Sequence, residues 1–255
     1  MLEAYIRAQR EKRDILLMTH IVLGYPSFDD CMATVEAMVE AGVDLMELQI
    51  PFSEPMADGP VILQANARAL AAGATLSRCF DFAEEVSKRF DIPFLFMTYY
   101  NIVFKAGLER FMDAMVERKI RGAIVPDLPP EEAETYLGLM RERSLAPVFI
   151  YSPTTSQARM ARLAEQGSGL IYCMARRGVT GRETSFDGQF SDYLAQCRAA
   201  TDLPLAVGFG VKSAEDVALL KGQADIAVVG SETIRVVERS GVGAVGPFIR
   251  SLRPV

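Results

Sequence analysis

Leu16-Leu17-Met18-Thr19-His20-Ile21-Val22-Leu23, followed one helix-length later by Val43-Asp44-Leu45-Met46-Glu47-Leu48-Gln49-Ile50, is the stretch that decides the fold. Both runs are short and apolar, and Cys31, Val35, Met38 and Val39 recur between them at helical spacing. A strand, a helix and a second strand make a parallel crossover unit that is complete by residue 50. Working outward, the same kind of run returns at Pro93 to Met97, Gly122 to Val125, Pro147 to Ile150, Gly169 to Met174, Pro204 to Val207 and Ile226 to Val229. Each is rich in β-branched or aromatic residues. Polar-apolar segments of helical length lie between them, among them Leu108 to Lys119, Pro130 to Arg143, Gln157 to Gln166 and Ala214 to Lys221. Near-continuous apolar strands are covered on both faces. Eight strands alternating with eight helices in 255 residues predict a single (β/α)8 TIM barrel over the whole chain, residues 1–255, with right-handed crossovers. The rival, a doubly wound open sheet, calls for a G-x-G-x-x-G turn after the first strand, where Gly24-Tyr25-Pro26 stands instead.

Composition narrows the class of ligand. Half the residues are hydrophobic, enough for a sizeable core, and the formal net charge is −6. That balance argues against nucleic acid or an anionic membrane as a partner. An anionic ligand must then be held locally. The apolar stretch Ile15 to Gly24 is interrupted by Thr19 and His20 and is too short for a membrane span or a signal segment, so a soluble cytoplasmic chain is expected. Cys31, Cys79, Cys173 and Cys197 stand singly, and His20 is the one histidine. Neither zinc nor disulfides are expected, and the cysteines read as small buried hydrophobes. Met18, Met32, Met38, Met46, Met97, Met112 and Met115 read as core packing.

In a barrel of this kind, reactive groups gather at the C-terminal ends of the strands. The densest chemical signal runs from Glu47 to Pro60, with one carboxylate at a strand end and a second, Asp58, on the following loop. A buried acid holds its proton to higher pH while one in a polar setting stays ionised, so such a pair can divide acid and base roles. Ile50, Phe52 and Tyr99 supply apolar walls. Gly178-Val179-Thr180-Gly181, Gly208-Phe209-Gly210 and Gly230-Ser231 follow the last three strands, where backbone N–H groups can hold a phosphate. Read by themselves, Glu47 serves equally as a structural acid paired with an arginine, Asp58 as a turn residue before Gly59-Pro60, and Tyr172 as a core aromatic.

Pro51-Phe52-Ser53 with Pro55-Met56-Ala57-Asp58-Gly59-Pro60, Val125-Pro126-Asp127-Leu128-Pro129, Arg177-Gly178-Val179-Thr180-Gly181, Gly208-Phe209-Gly210 and Val229-Gly230-Ser231 carry a likeness over nearly the whole chain. In these stretches the chain resembles the tryptophan synthase alpha subunit family. The resemblance implies retro-aldol cleavage of indole-3-glycerol phosphate to indole and glyceraldehyde 3-phosphate, without metal or organic cofactor. It implies Glu47 as general acid and base, and Asp58 as an ionised carboxylate facing the indole nitrogen. Tyr172, Thr180, Phe209 and Tyr99 fall at substrate-binding positions, with Thr180 on a closing loop, and Gly181, Gly210, Gly230 and Ser231 at phosphate-binding ones. It also implies a tryptophan synthase β subunit as partner in an α2β2 complex, for which the loops around Glu54, Pro55, Asn101 and Pro129 are the expected face.

Several positions depart from the family pattern. Gln49 stands where Gly is usual, Tyr25 where Asp is, Val22 where Thr is, Glu54 where Asp is and Ala175 where Ser is, while His20 takes an apolar or aromatic position near the indole site. The Val22 and Tyr25 changes predict loss of a polar contact that serves loop closure. Together the departures keep open a stand-alone lyase and a weakly active regulatory subunit. A lysine-dependent barrel aldolase is disfavoured, because Lys105 and Lys212 fall in loops or helix starts rather than at strand ends.

Overall fold

The computed structural model describes residues 1–174, 188–208 and 210–253. All eight expected strands are present as β1 (Leu16–Val22), β2 (Leu45–Gln49), β3 (Phe94–Met97), β4 (Gly122–Ile124), β5 (Ala146–Tyr151), β6 (Ile171–Met174), β7 (Leu205–Gly208) and β8 (Ile226–Val229). They pair in parallel and in sequential order, and β1 bonds to both β2 and β8, closing the barrel. Closure leaves no strand edge unpaired.

Successive side chains on a strand point to opposite faces, so each apolar run supplies two cores at once. Leu16, Met18, Leu45, Leu95, Ile124, Val148, Ala206, Ile226 and Val228 fill the barrel interior. Their neighbours Leu17, Ile21, Met46, Leu48, Phe94, Phe96 and Val207 pack outward against the helices. The first residue of β4 is a glycine, Gly122, and a Cβ there would stand 2.4 Å from the Ala146 carbonyl oxygen of β5. Met18, Met38, Met46, Met97, Met112 and Met115 are buried as expected, and Met32 is half-buried. All four cysteines are buried thiols.

The helices exceed one per strand. Helix Leu2–Arg10, unread in the sequence, precedes β1 and places Leu2 and Ile6 under the barrel interior. The β2–β3 connection carries Pro60–Ala71 and Leu76–Arg89, and the β3–β4 connection carries Tyr100–Ala106 and Leu108–Glu117. Gly107, with φ of 89°, adopts the left-handed conformation that breaks the second pair. The expected helix over 130–143 divides into a 3₁₀ turn, Pro130–Glu132, and the helix Glu134–Glu142. Lys105 lies in the last turn of Tyr100–Ala106, not at a loop or helix start. Side-chain caps fix several starts: Ser27, Thr75, Ser156 and Ser213 each accept a first-turn N–H, and Ser213 forms a capping box with Asp216.

Two aspartates organise the N-terminal end of the barrel. Asp44 accepts the Leu17 N–H at 2.8 Å and pairs with Arg13 and Arg253. Asp225 accepts the Leu205 N–H at 2.8 Å and pairs with Arg10 and Arg198. These networks tie both chain ends to the barrel on the face opposite the candidate site, where stability rather than chemistry is served. Among the described residues no helix is long and apolar enough to cross a membrane.

Candidate active site

Strand register brings the first pair together. His20 on β1 stands directly beside Glu47 on β2, and both follow the inward positions Met18 and Leu45. The imidazole Nδ1 lies 3.1 Å from Glu47 Oε2, with Glu47 only 3% exposed and His20 4%. Glu47 Oε1 and His20 Nε2 are buried without a hydrogen-bond partner among the described residues. Burial pushes the His20 imidazole down, but the Glu47 hydrogen bond, the negative charges of Glu47 and Asp58 and the nearby Gln49 amide outweigh it, leaving the ring above its ordinary value. Gln49 stands close to the ring without a well-formed bond to Nε2.

Asp58 reaches the same place from the loop after β2. Its N–H bonds to the Pro55 carbonyl at 2.9 Å, and Gly59-Pro60 then starts the helix Pro60–Ala71 with proline in the first turn. The turn reading and the functional one therefore hold together. Gln49 Nε2–H donates to Asp58 Oδ2 at 2.6 Å, and the Tyr99 hydroxyl donates to the same oxygen at 3.0 Å. Tyr99 also accepts the Ala57 N–H at 3.1 Å and stacks on Phe52 at a centroid distance of 5.2 Å. Its hydroxyl is thus committed to Asp58 and the loop, which makes Tyr99 a support for the carboxylate. Burial pushes the Asp58 carboxyl above the usual carboxylate range, opposed by the His20 charge and by the Gln49 and Tyr99 hydrogen bonds. This corrects the picture of Asp58 as the acid in the more polar setting: it is buried, and its two donors are what favour the ionised form.

Tyr172 lies on β6, half-buried over β7. A Cβ at Gly208 would come within 2.1 Å of the Tyr172 hydroxyl oxygen, so glycine is what lets the ring lie there. Burial, then the charges of Glu47 and Asp58, hold the phenol well above its ordinary value, so it remains a donor. Gly208→Ala is expected to displace the ring at a cost of about 1–3 kcal/mol in stability. A thermal melt showing a fall of several degrees in Tm, together with a raised KM, checks this.

Gly210 adopts φ of 91° ahead of the helix Ala214–Leu220. Gly230 is the N-cap of Ser231–Ser240 and brings no capping side chain, and the space where its Cβ would stand is open. Helix N-termini of this kind bind anions through backbone N–H groups. Ser231 occupies the first turn, where Arg235 lies 3.5 Å from its hydroxyl oxygen. Thr180, Gly181, Phe209 and Ala175 lie outside the described residues. Asp127 ties loops together by accepting the Tyr100 N–H at 2.9 Å.

The departures from the family pattern find partners. The Tyr25 hydroxyl donates to Glu238 at 2.6 Å and accepts from Arg68 at 3.0 Å, joining the helices Pro60–Ala71 and Ser231–Ser240. Val22 packs with Ile62, Ala65, Ala69 and Ile234. The Tyr25 hydroxyl thus serves a contact between two helices, and the closing-loop contact expected to be lost here involves residues outside those described. On the face beside the mouth, Glu54, Asn101 and Pro129 are exposed, whereas Pro55 is buried. Met56 and Phe104 there are 75% and 65% exposed.

Three supports were not legible as such. Asn66 accepts the Phe52 N–H at 2.9 Å and donates to the Ile62 carbonyl, fixing the loop after β2. The Thr233 hydroxyl lies 3.2 Å from the His20 carbonyl oxygen. His20 itself carried a signal: strand alternation places it on the inward face with Met18, where a lone histidine demands an acidic or amide neighbour.

Comparison with known proteins agrees with this geometry. The family model described as tryptophan synthase alpha chain matches residues 6–245. The tryptophan synthase alpha chain of Syntrophotalea carbinolica is 64% identical, covering 99% of this chain and 100% of its own length. That of Desulfotalea psychrophila is 58% identical, over 99% of each. Among solved structures, Mycobacterium tuberculosis tryptophan synthase superposes with a TM-score of 0.91 at 28% identity, covering 98% of this chain and 96% of that one. An Aquifex aeolicus protein superposes at 0.90 with 32% identity, again over 98% and 96%. By family match, full-length identity and barrel geometry, this chain belongs to the tryptophan synthase alpha chain family.

Proposed function

We propose that this chain is the alpha subunit of tryptophan synthase, cleaving indole-3-glycerol phosphate to indole and glyceraldehyde 3-phosphate in the cytoplasm, with Glu47 and Asp58 performing the chemistry. The observation that carries the assignment of roles is the meeting of two buried carboxylates at one barrel mouth, one of them with an oxygen, Glu47 Oε1, that has no partner among the described residues. Glu47 gives a proton to indole C3. The ring becomes a cation whose N–H faces Asp58, and the carboxylate stabilises it by a charge-assisted hydrogen bond. Glu47 then takes the proton of the adjacent glycerol hydroxyl. The carbon–carbon bond breaks, its electron pair returns to the ring, and the aldehyde departs. One proton enters at C3 and one leaves the hydroxyl, so the residue ends as it began.

Tyr172 is positioned to donate to the glycerol chain, and Tyr99 and Gln49 hold Asp58. Gly210, Gly230 and Ser231, with Gly181, Thr180 and Phe209, are the candidate groups around the phosphate and the closing loop. The β subunit of an α2β2 complex is the expected partner, seated over Glu54, Met56, Asn101, Phe104 and Pro129. Such a mixed apolar and polar face suits a complex that forms between separately folded chains.

Release of glyceraldehyde 3-phosphate from indole-3-glycerol phosphate, measured with and without a β subunit, tests this. Slow release that accelerates when the β subunit is added is expected; folded protein that releases none in either condition would overturn it. Glu54→Ala should weaken β-subunit affinity about two- to fivefold, in the range of an exposed charge, while leaving the rate without β unchanged. Equal losses in both readouts would remove Glu54 from the interface.

A further inference from the structure

Of the two carboxylates at the barrel mouth, only Glu47 touches an imidazole. The contact joins neighbouring strands in register, His20 on β1 and Glu47 on β2, at 3.1 Å between Nδ1 and Oε2. The pair is almost wholly buried, and Glu47 Oε1 is left without a partner among the described residues. Gln49 Nε2–H and the Tyr99 hydroxyl both donate to Asp58, while Gln49 Oε1, close to the His20 ring, is buried without a partner among the described residues. The Thr233 hydroxyl donates to the Gly230 carbonyl at 2.6 Å and lies 3.2 Å from the backbone carbonyl of His20, not from its ring.

We propose that His20 is a positioning residue for the cleavage reaction: its Nδ1–H holds Glu47 by Oε2 and so turns Oε1 toward the substrate. This rests on the reading of Glu47 as the proton-transferring acid and base. The physical reason is rotational. A glutamate has three side-chain torsions, and a lone carboxylate at a strand end can turn either oxygen to the substrate or swing toward another donor. A ring fixed on the adjacent strand removes that freedom before the substrate arrives. An apolar side chain at residue 20 offers no donor and leaves the orientation of Glu47 to packing alone.

The groups that face His20 come from each surrounding element. Glu47 and Gln49 lie on β2 and Asp58 on the loop beyond it, and Tyr172 on β6 lies within reach of the same two carboxylates. β8 carries no titratable side chain, being Ile226-Ala227-Val228-Val229. The nearest charges are therefore negative, and they favour the ring with both nitrogens protonated. In that form Nδ1–H is a donor irrespective of tautomer.

His20 is the chain's one histidine, so its ring gives one set of imidazole signals in nitrogen-detected NMR of the intact protein. The titration of that signal is expected to move to lower pH in Glu47→Gln. In steady-state cleavage, His20→Phe should lower kcat about 10- to 100-fold with KM changed much less, as misplacement of a catalytic group does. His20→Asn, whose side-chain N–H can reach the same oxygen, should recover a substantial part of that loss. An imidazole titration unmoved by Glu47→Gln would overturn the pairing. So would His20→Phe that folds, binds substrate and keeps the wild-type kcat while Glu47→Gln is inactive, and that outcome would leave the proposed function standing. Wild-type protein that cleaves nothing would sink the functional reading and this inference together.

Discussion

Glu47→Gln should lower kcat by about 10³- to 10⁴-fold, toward the upper end of what a single general acid and base contributes. The substitution keeps the size and the hydrogen-bonding capacity of the side chain while removing its ability to carry a proton. The carbonyl oxygen of the introduced amide can still accept from His20 Nδ1, so the geometry described for the wild-type pair at 3.1 Å need not collapse. KM should change little, because the lost interaction is made in the transition state. Single-turnover release of glyceraldehyde 3-phosphate, beside a thermal melt to show that the barrel is intact, is the measurement. A variant retaining a tenth or more of the wild-type rate would remove Glu47 from the proton transfers.

Asp58→Asn is expected to cost about 10²- to 10³-fold in kcat, the usual scale for removing one preorganised electrostatic contact to a developing charge. Gln49 and Tyr99 are held 2.6 and 3.0 Å from Oδ2, so the site is organised before substrate binds. Its pH dependence has a definite sign. Burial raises this carboxyl, so a reaction that needs it ionised gains rate as pH rises through a value above the usual carboxylate range. That acid limb should disappear in Asp58→Asn. Stability runs the other way. A carboxyl raised in the folded state binds its proton more tightly there than when unfolded, so its contribution falls as pH climbs through the raised value. Asp58→Asn should then melt no lower than wild type at neutral pH even as activity is lost, whereas a variant that is both unstable and inactive would show Asp58 to be structural.

The barrel was readable because its signal is local. Each strand from Leu16–Val22 to Ile226–Val229 appears in the sequence as a short apolar run, displaced by a residue or two at its ends. Helix Leu2–Arg10 leaves no such mark because its buried side is only Leu2 and Ile6, too few to show a helical period. Between β3 and β4 the segment Leu108 to Lys119 was legible and matches the helix Leu108–Glu117, while the short helix Tyr100–Ala106, set apart by Gly107, offers too few turns to show a period. Glu47 and Asp58 were legible from their places at a strand end and on the loop after it. Tyr99 was legible as a site residue, but its service to Asp58, 41 positions away, was not.

Sequence by itself determined the number and order of the strands, which faces they bury and which end of the barrel collects the carboxylates. Those properties depend on side-chain alternation and on helix spacing, which act over a few residues. Tertiary structure decided which groups touch. His20 meets Glu47 across 27 positions because adjacent parallel strands place them side by side, and Tyr172 lies over Gly208 because the neighbouring strand lacks a Cβ at that point. Tyr25 reaches Glu238, 213 positions on, where barrel closure brings β1 against the last strand and the helix that follows it. Such contacts are set by register and closure of the ring, and a hydrogen bond formed within 3.1 Å depends on a placement that no local pattern encodes.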